Sequence, residues 1–137
     1  MTIYASFKIN GGLFQVGNLK KDLAEIKAIK EKNGVTVFVI TENQHELLRA
    51  GQTAHKSGGV VTVTAPSGWL NGYKANKINE QLSIGKNVYK DKDMEKGASY
   101  KASMKNYYTN TVQSDINAAT DKAGVDSAVK ALDWNSV

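Results

Sequence analysis

Two β-branched runs with a helix start signal between them constrain the fold of this chain more than any other feature. The first run, VTVFVI at 35–40, is apolar at five of its six positions, and the second run, VVTVTA, occupies 60–65. Between them, Thr41 and the glutamine three residues later form a capping box, and a helical pattern continues to Lys56. Strand, helix and strand with short connections favour a right-handed crossover, so we predict a β-α-β unit whose strands are covered on both faces.

The residues before this unit predict a β-hairpin and an amphipathic helix. Residues 2–9 alternate apolar and polar side chains, and a partner strand at 13–16 follows a turn rich in glycine. Asn18 is placed as the N-cap of a helix that a left-handed glycine, Gly34, ends. Apolar residues recur between these caps at helical spacing, at Leu19, Leu23, Ile26 and Ile29.

The remaining sequence predicts mainly helix. Beyond Gly68 we expect a turn at Asn71-Gly72, a short helix over 75–82 and a short strand at Val88-Tyr89. A long helix then carries the stripe Met104, Tyr108, Val112, Ile116 and Ala119, and a last helix, capped by Thr120, packs through Val125, Ala128, Val129, Leu132 and Trp134.

Together these patterns predict an α/β fold class. The N-terminal β-hairpin, the amphipathic helix and the β-α-β unit form a small mixed sheet, and a C-terminal helical hairpin follows it. At 137 residues the chain is the size of a single domain. We expect an α/β core at 1–90 and a helical tail at 91–137 that packs on this core or on a partner subunit.

Composition narrows the classes of function. The chain has no cysteine, which excludes disulfides, thiolate zinc sites and thiol nucleophiles. Arg49 is its only arginine among 18 basic residues, and arginine is the side chain that grips phosphates and base edges with two hydrogen bonds. We therefore expect nucleic acid to be bound weakly and without specificity, if at all. The sequence shows neither a signal peptide nor an apolar run long enough to span a membrane.

Two catalytic patterns begin but are not completed. His45-Glu46 opens like the zinc motif HExxH, but Arg49 stands where the second histidine ligand belongs. Ser67 lies in a Pro-Ser-Gly turn, without the glycine pattern of a nucleophile elbow. We predict no catalytic residue, no metal site and no cofactor, and we regard a non-enzymatic protein as favoured over an enzyme.

A small-anion site is one alternative that the predicted crossover raises. Ligands of open α/β sheets bind beyond the carboxyl ends of parallel strands, where helix N-termini offer free amides. A nucleotide or phosphate-metabolite site is therefore predicted at Thr41, Asn43, Gln44, His45, Arg49, Ser67 and Gly68, although the caps and turns alone also account for these residue types.

Aromatic and basic residues in the second half raise a different alternative. Residues 69–105 hold eight lysines and four acidic residues, whereas 106–137 hold two lysines and four aspartates. Tyrosines among lysines can stack bases, but their helical spacing favours packing in a core or a subunit interface. We predict a protein or homo-oligomer interface at Trp69, Tyr73, Tyr89, Tyr100, Tyr107 and Tyr108.

The segment INAATDKAGVDSAVKALDW at 116–134 resembles a segment near the C-termini of small accessory and structural proteins of tailed phages. The resemblance implies a phage protein that assembles virions or interacts with host proteins, located in the host cytoplasm or in the virion. Our leading hypothesis is therefore a non-enzymatic binding or assembly protein that acts through contacts with itself or with a protein partner.

Overall fold

The chain divides into two compact units, Met1–Trp69 and Leu70–Val137. The computed structural model describes residues 2–8, 10–18, 23–31 and 34–137. The fold class is mixed α and β, as the sequence predicts, with strands in the first unit and helices through the second. Residues 90 and 91, between which we expected the α/β core to end and the helical tail to begin, both lie in one long helix.

The first unit contains a three-stranded antiparallel sheet. Its strands are β1 (Ile3–Phe7), β2 (Leu13–Asn18) and β3 (Thr36–Ile40), in the order β2-β1-β3. The predicted N-terminal hairpin is confirmed, because β1 pairs antiparallel with β2. In its turn, Gly11 has φ of 88°, and a Cβ at this position would lie 2.6 Å from the carbonyl oxygen of Lys56, so only glycine fits.

An amphipathic helix, α1 (Leu23–Glu31), packs against β3. Gly34 follows it with φ of 76°, which confirms the predicted glycine at the end of the helix. Asn18 is the last residue of β2, and the helix start expected at Leu19 lies outside the described residues.

The predicted capping box is confirmed at α2 (Glu42–Arg49). The Thr41 hydroxyl accepts a hydrogen bond from the Gln44 amide at 3.0 Å, and the Gln44 side-chain oxygen accepts one from the Thr41 amide at 3.0 Å. The helix ends earlier than Lys56, because Gly51 adopts φ of 95° and donates its amide to the Leu48 carbonyl. This left-handed glycine closes the last turn.

The predicted β-α-β unit is wrong. Residues expected to extend the helix form β4 (Thr53–Ser57), and β5 (Val60–Thr64) pairs with β4 as an antiparallel hairpin separate from the sheet that contains β3. The physical reason lies in Gly58-Gly59, because a two-residue glycine turn joins adjacent strands that must run in opposite directions. Val39 is 50% exposed, so the expectation that β3 is covered on both faces is also wrong.

The hydrophobic core of the first unit forms where β1, β3 and β4 supply inward side chains. The Phe7 and Phe38 rings meet edge to face, with their centroids 5.9 Å apart. The buried members of this core are Ile3, Ala5, Phe7, Ile40 and Ala54.

The second unit begins with the long helix α3 (Trp69–Lys96), which starts at the last residue of the first unit. The separate helix at 75–82 and the strand at Val88-Tyr89 are therefore wrong, as is the turn at Asn71-Gly72. A glycine inside a helix costs only about 1 kcal/mol, and α3 offsets this cost by packing Tyr73, Ile78 and Val88 into the core of the second unit.

The C-terminal helices are interrupted rather than continuous. Gly97, with φ of 84°, separates α3 from α4 (Tyr100–Tyr107), and a π-helical segment (Tyr108–Gln113) leads into α5 (Ser114–Ala118). The last helix, α6 (Lys122–Ala131), is capped by Asp121 rather than by the predicted Thr120, because the Asp121 carboxylate accepts the Gly124 amide at 2.7 Å. A 3-10 turn at Trp134–Ser136 follows.

The core of the second unit confirms most of the predicted apolar stripe. Met104, Val112 and Ile116 are buried, as are Val125 and Trp134. Two further buried residues, Ile78 and Tyr100, complete this core, and the partly buried residues packed against it include Tyr108, Ala119, Ala128, Val129 and Leu132.

Two tyrosines of α4 give a matched test of hydrogen bonding. The Tyr107 hydroxyl accepts the Asp133 amide at 2.8 Å, whereas the buried Tyr100 hydroxyl has no partner among the described residues. We expect Tyr107→Phe to lower the free energy of unfolding by about 0.5–1.5 kcal/mol, because it removes a hydrogen bond. Tyr100→Phe removes none and should leave the free energy unchanged or raise it. Urea denaturation of both variants measures the difference, and equal losses would contradict the assignment.

Candidate binding cleft

An apolar cleft of about 320 Å³ lies within the second unit. One wall is a face of α3, the other is a face of α4 that continues into the π-helical segment, and the C-terminal turn contributes Trp134. Its lining residues are Leu82, Gly85, Lys86, Tyr89, Lys101, Met104, Lys105, Tyr108 and Trp134. We call this feature the cleft.

The two walls have the same helical spacing. The lining positions from Leu82 to Tyr89 and those from Lys101 to Tyr108 both follow i, i+3, i+4 and i+7, so each set occupies one face of its helix. At 1.5 Å per residue each wall is about 10 Å long, which is two helical turns. The cleft is therefore a short groove between two helical segments.

The floor of the cleft depends on a close approach between Gly85 and Trp134. The indole is 6% exposed, and its Nε1 donates a hydrogen bond to the Gln81 side-chain oxygen at 3.0 Å. A Cβ at position 85 would lie 2.6 Å from the indole ring carbons, which is closer than a methyl group can fit. A glycine in the middle of α3 therefore lets the indole reach this helix.

Tyrosines lie on both walls. The Tyr89 ring stacks on the Tyr100 ring with centroids 5.5 Å apart and an angle of 15° between the planes. The hydrogen bond that Tyr89 makes to Asp93 raises the pKa of Tyr89, so this phenol stays protonated. On the other wall, Tyr108 begins the π-helical segment and its hydroxyl accepts the Gln113 amide at 3.3 Å. Short π-helical segments are frequent at functional sites.

Three exposed lysines surround the apolar floor. Lys86 belongs to α3, and Lys101 and Lys105 belong to α4, so positive charge is present on both walls. In the part of the chain that the structure describes, salt bridges join Lys77 to Glu80 and Lys122 to Asp126, and none involves these three lysines. Their ammonium groups are available to an acidic ligand.

The structure separates the six predicted interface residues. Tyr89 and Tyr108 line the cleft, whereas Tyr100 is a core residue and Tyr107 packs edge to face on Trp134 with ring centroids 5.0 Å apart. Trp69 belongs to the first unit, where its Nε1 donates to the Ala50 carbonyl at 2.7 Å. An interface role for residues outside the cleft stays a prediction.

The sixth residue, Tyr73, joins α3 to α6. Its hydroxyl donates to Asp126, which also accepts a hydrogen bond from Lys122 at 2.6 Å. Partial burial acts to raise the pKa of the Asp126 carboxyl, but the hydrogen bonds from Lys122 and Tyr73, with the charges of Lys122 and Lys77, outweigh it and lower this pKa below its ordinary value. Asp126 is therefore held as a carboxylate that links the two helices.

The predicted small-anion site loses the geometry on which it depended. Its strands are not parallel, and the hydroxyl of Thr41 and the amide of Gln44 are engaged in the capping box. Thr41 and Arg49 lie at opposite ends of α2, about 12 Å apart at 1.5 Å per residue. Asn43 and His45 lie on this helix, and Ser67 and Gly68 lie in the turn before α3. Anion binding by these residues stays a prediction.

Sequence reasoning missed most of the cleft. It selected Tyr89 and Tyr108 as interface residues and placed Met104 and Trp134 in the apolar core, but it did not select the other lining residues. The spacing i, i+3, i+4 and i+7 on both walls is a signal that the sequence contains. It was not recognised in α3 because Val88 and Tyr89 were predicted to form a strand. The lining residues that sequence reasoning did not select are Leu82, Gly85, Lys86, Lys101 and Lys105.

Within the described ranges, no group of three histidine, aspartate or glutamate side chains is placed to hold a metal ion. Across the same residues, none of the helices combines the length and apolar character needed to cross a bilayer. Comparisons with known protein families, with curated proteins and with solved structures gave no match.

Proposed function

We propose that this chain is a non-enzymatic binding protein that recognises a protein partner through the cleft. The observation that carries the proposal is the apolar groove of about 320 Å³, whose walls both carry lysines that form no salt bridge with any described residue. Tyrosine, tryptophan and methionine are enriched at the buried centres of protein interfaces, and all three occur here. The groups that line the cleft are apolar side chains, phenols and ammonium groups, a set suited to holding a ligand rather than to transferring a proton at neutral pH.

The resemblance of residues 116–134 to tailed-phage proteins supports a phage context for this binding protein. It points to a virion protein or a host protein as the partner. Self-association is the alternative form of the same function, and light scattering of the full chain distinguishes the two. A monomer at micromolar concentration favours a different protein as the partner.

A fluorescent dye tests whether the cleft is a recognition site. The chain has two tryptophans, so Trp69→Phe leaves Trp134 as the only indole and makes its emission a reporter of the cleft. We expect an anionic naphthalene sulfonate dye to bind this variant saturably at one site and to quench Trp134. Reversing the charge of two lysines, Lys101→Glu with Lys105→Glu, should weaken dye binding because it removes the positive charge that attracts the sulfonate group.

A control carries the same change of net charge at residues that do not line the cleft. Lys90→Glu with Lys130→Glu alters exposed lysines of α3 and α6 that do not line the groove. This control should bind the dye with nearly unchanged affinity. Absence of saturable binding, or equal weakening in the two double variants, would refute the cleft as the recognition site.

A further inference from the structure

We infer that the cleft accepts an acidic amphipathic helix from a different protein. This inference rests on the proposed function, and it specifies the chemical class and the secondary structure of the partner. The dimensions of the cleft, the charges around it and the charge distribution of the chain each support the inference.

The dimensions of the cleft fit the apolar face of a helix. Each wall is two turns long, about 10 Å, which is the distance between residues i and i+7 of a helix. Grooves between helices bind amphipathic helices through apolar anchors at i, i+3 or i+4, and i+7. A volume of about 320 Å³ is too small to enclose a helix but holds a few large apolar side chains inserted from its surface.

The floor suits such anchors. Met104 is buried in the core beneath the groove, and its unbranched thioether can adjust to side chains of different shape. Gly85 has no side chain, so the middle of the α3 wall does not project into the groove, and the atoms next to it belong to the Trp134 ring. An inserted leucine or phenylalanine would therefore meet aromatic and thioether surface.

The charge around the cleft selects an acidic partner. Lys86 and the Lys101 and Lys105 pair flank the groove from opposite sides, and residues 69–105 together carry eight lysines and four acidic residues. A helix with glutamates on both sides of its apolar stripe would place a carboxylate near each wall. Complementary charges of this kind accelerate association and exclude partners of the wrong sign.

The charge of the chain argues against a second copy as the occupant. The whole chain carries a formal net charge of +5 at pH 7. In the C-terminal segment, the apolar residues Val125, Ala128 and Val129 of α6 already pack in the core of the chain's own second unit. The acidic segment of a second copy, residues 106–137, has this apolar face already covered, so it does not present an acidic amphipathic helix to the groove.

Synthetic peptides of about 15 residues test the inference, because shorter isolated helices are only marginally stable. All share leucine at i, i+4 and i+7 in an alanine background, and only the positions that flank the leucine stripe are filled with glutamate, glutamine or lysine, which limits repulsion between like charges along the helix. A fourth peptide scrambles the glutamate version so that its leucines no longer share one face. Binding is measured by fluorescence anisotropy and by Trp134 emission in the full-length Trp69→Phe variant.

We expect the glutamate peptide to bind at least about tenfold more tightly than the glutamine peptide, a difference of about 1.4 kcal/mol, and the scrambled peptide to bind more weakly than its ordered form. In the Lys101→Glu, Lys105→Glu variant the preference should reverse toward the lysine peptide, whereas the Lys90→Glu, Lys130→Glu control should keep the original order. Added salt should reduce the advantage of the glutamate peptide by screening.

The outcomes separate this inference from the proposed function. If the dye binds the cleft but the peptides bind equally or not at all, the acidic helix is wrong and the cleft remains a recognition site. Tighter binding of the scrambled peptide than of the ordered peptide, or of a free fatty acid than of every peptide, also refutes the inference that the cleft accepts an acidic helix. If neither dye nor peptide perturbs Trp134, the proposed function fails together with the inference.

Discussion

Replacing Trp134 with alanine is expected to lower the free energy of unfolding of the second unit by about 3–5 kcal/mol, the range for truncation of a buried tryptophan. The indole is 6% exposed and belongs to the core of this unit. Alanine removes the edge-to-face contact with Tyr107 and leaves the buried Gln81 side chain without its donor. Trp134 therefore holds the C-terminal turn against α3, together with the hydrogen bond that the Lys96 ammonium donates to the Val137 carbonyl at 3.2 Å.

Urea denaturation followed by far-UV circular dichroism measures this loss without using the deleted fluorophore. Trp134→Phe is the matched variant, because it keeps an aromatic ring at the site and loses the Nε1 hydrogen bond. We expect this variant to lose less stability than Trp134→Ala. A loss below about 0.5 kcal/mol for Trp134→Ala, the range of an ordinary surface substitution, would show that the C-terminal turn does not pack as described.

Gly85→Ala and Gly72→Ala are expected to change stability in opposite directions. Both glycines lie in α3, where alanine has the higher helix propensity by about 1 kcal/mol. A Cβ at position 72 has no neighbour within 4 Å, so Gly72→Ala should raise the free energy of unfolding by up to about 1 kcal/mol. A Cβ at position 85 would lie 2.6 Å from the Trp134 ring, and overpacking of this kind costs about 1–3 kcal/mol.

Stability and cleft binding should respond together to the Gly85 substitution. The methyl group displaces the indole from α3, so Gly85→Ala should also weaken dye binding measured in the Trp69→Phe background. Gly72 does not line the cleft, and Gly72→Ala should leave dye affinity unchanged. If both substitutions stabilise the chain equally, the approach of Trp134 to α3 is not present in solution.

Local sequence signals predicted those parts of the fold that depend on neighbouring residues. The capping box at Thr41, the glycine after α1 and the N-terminal hairpin were all correctly placed, because each involves hydrogen bonds or backbone angles within a few residues. The apolar stripe of the C-terminal helices was also recognised, since its period follows from helix geometry.

The same signals failed where pairing partners had to be chosen. The residues at 60–65 are compatible with a central parallel strand and with a hairpin strand, since β-branched residues are favoured in both. The alternation at Thr53–Ser57 and the glycine pair after it decided in favour of the hairpin. In α3, the glycine at 72 locally favours a turn, and Val88 and Tyr89 locally favour a strand. Both segments are helical because the packing of α3 outweighs these local preferences.

By itself, then, the sequence determined where β1, β2, β3, β5 and α2 begin, which residue types point inward, and that positive charge is concentrated before residue 106. Only the tertiary structure decided which strands pair, that α3 is one helix, and that residues from α3, α4 and the C-terminal turn meet around Trp134. The reason is that caps and periodicity act over a few residues, whereas the cleft depends on side chains up to 52 positions apart, from Leu82 to Trp134. Contacts at such a separation are selected by the packing of the whole unit and leave no local pattern.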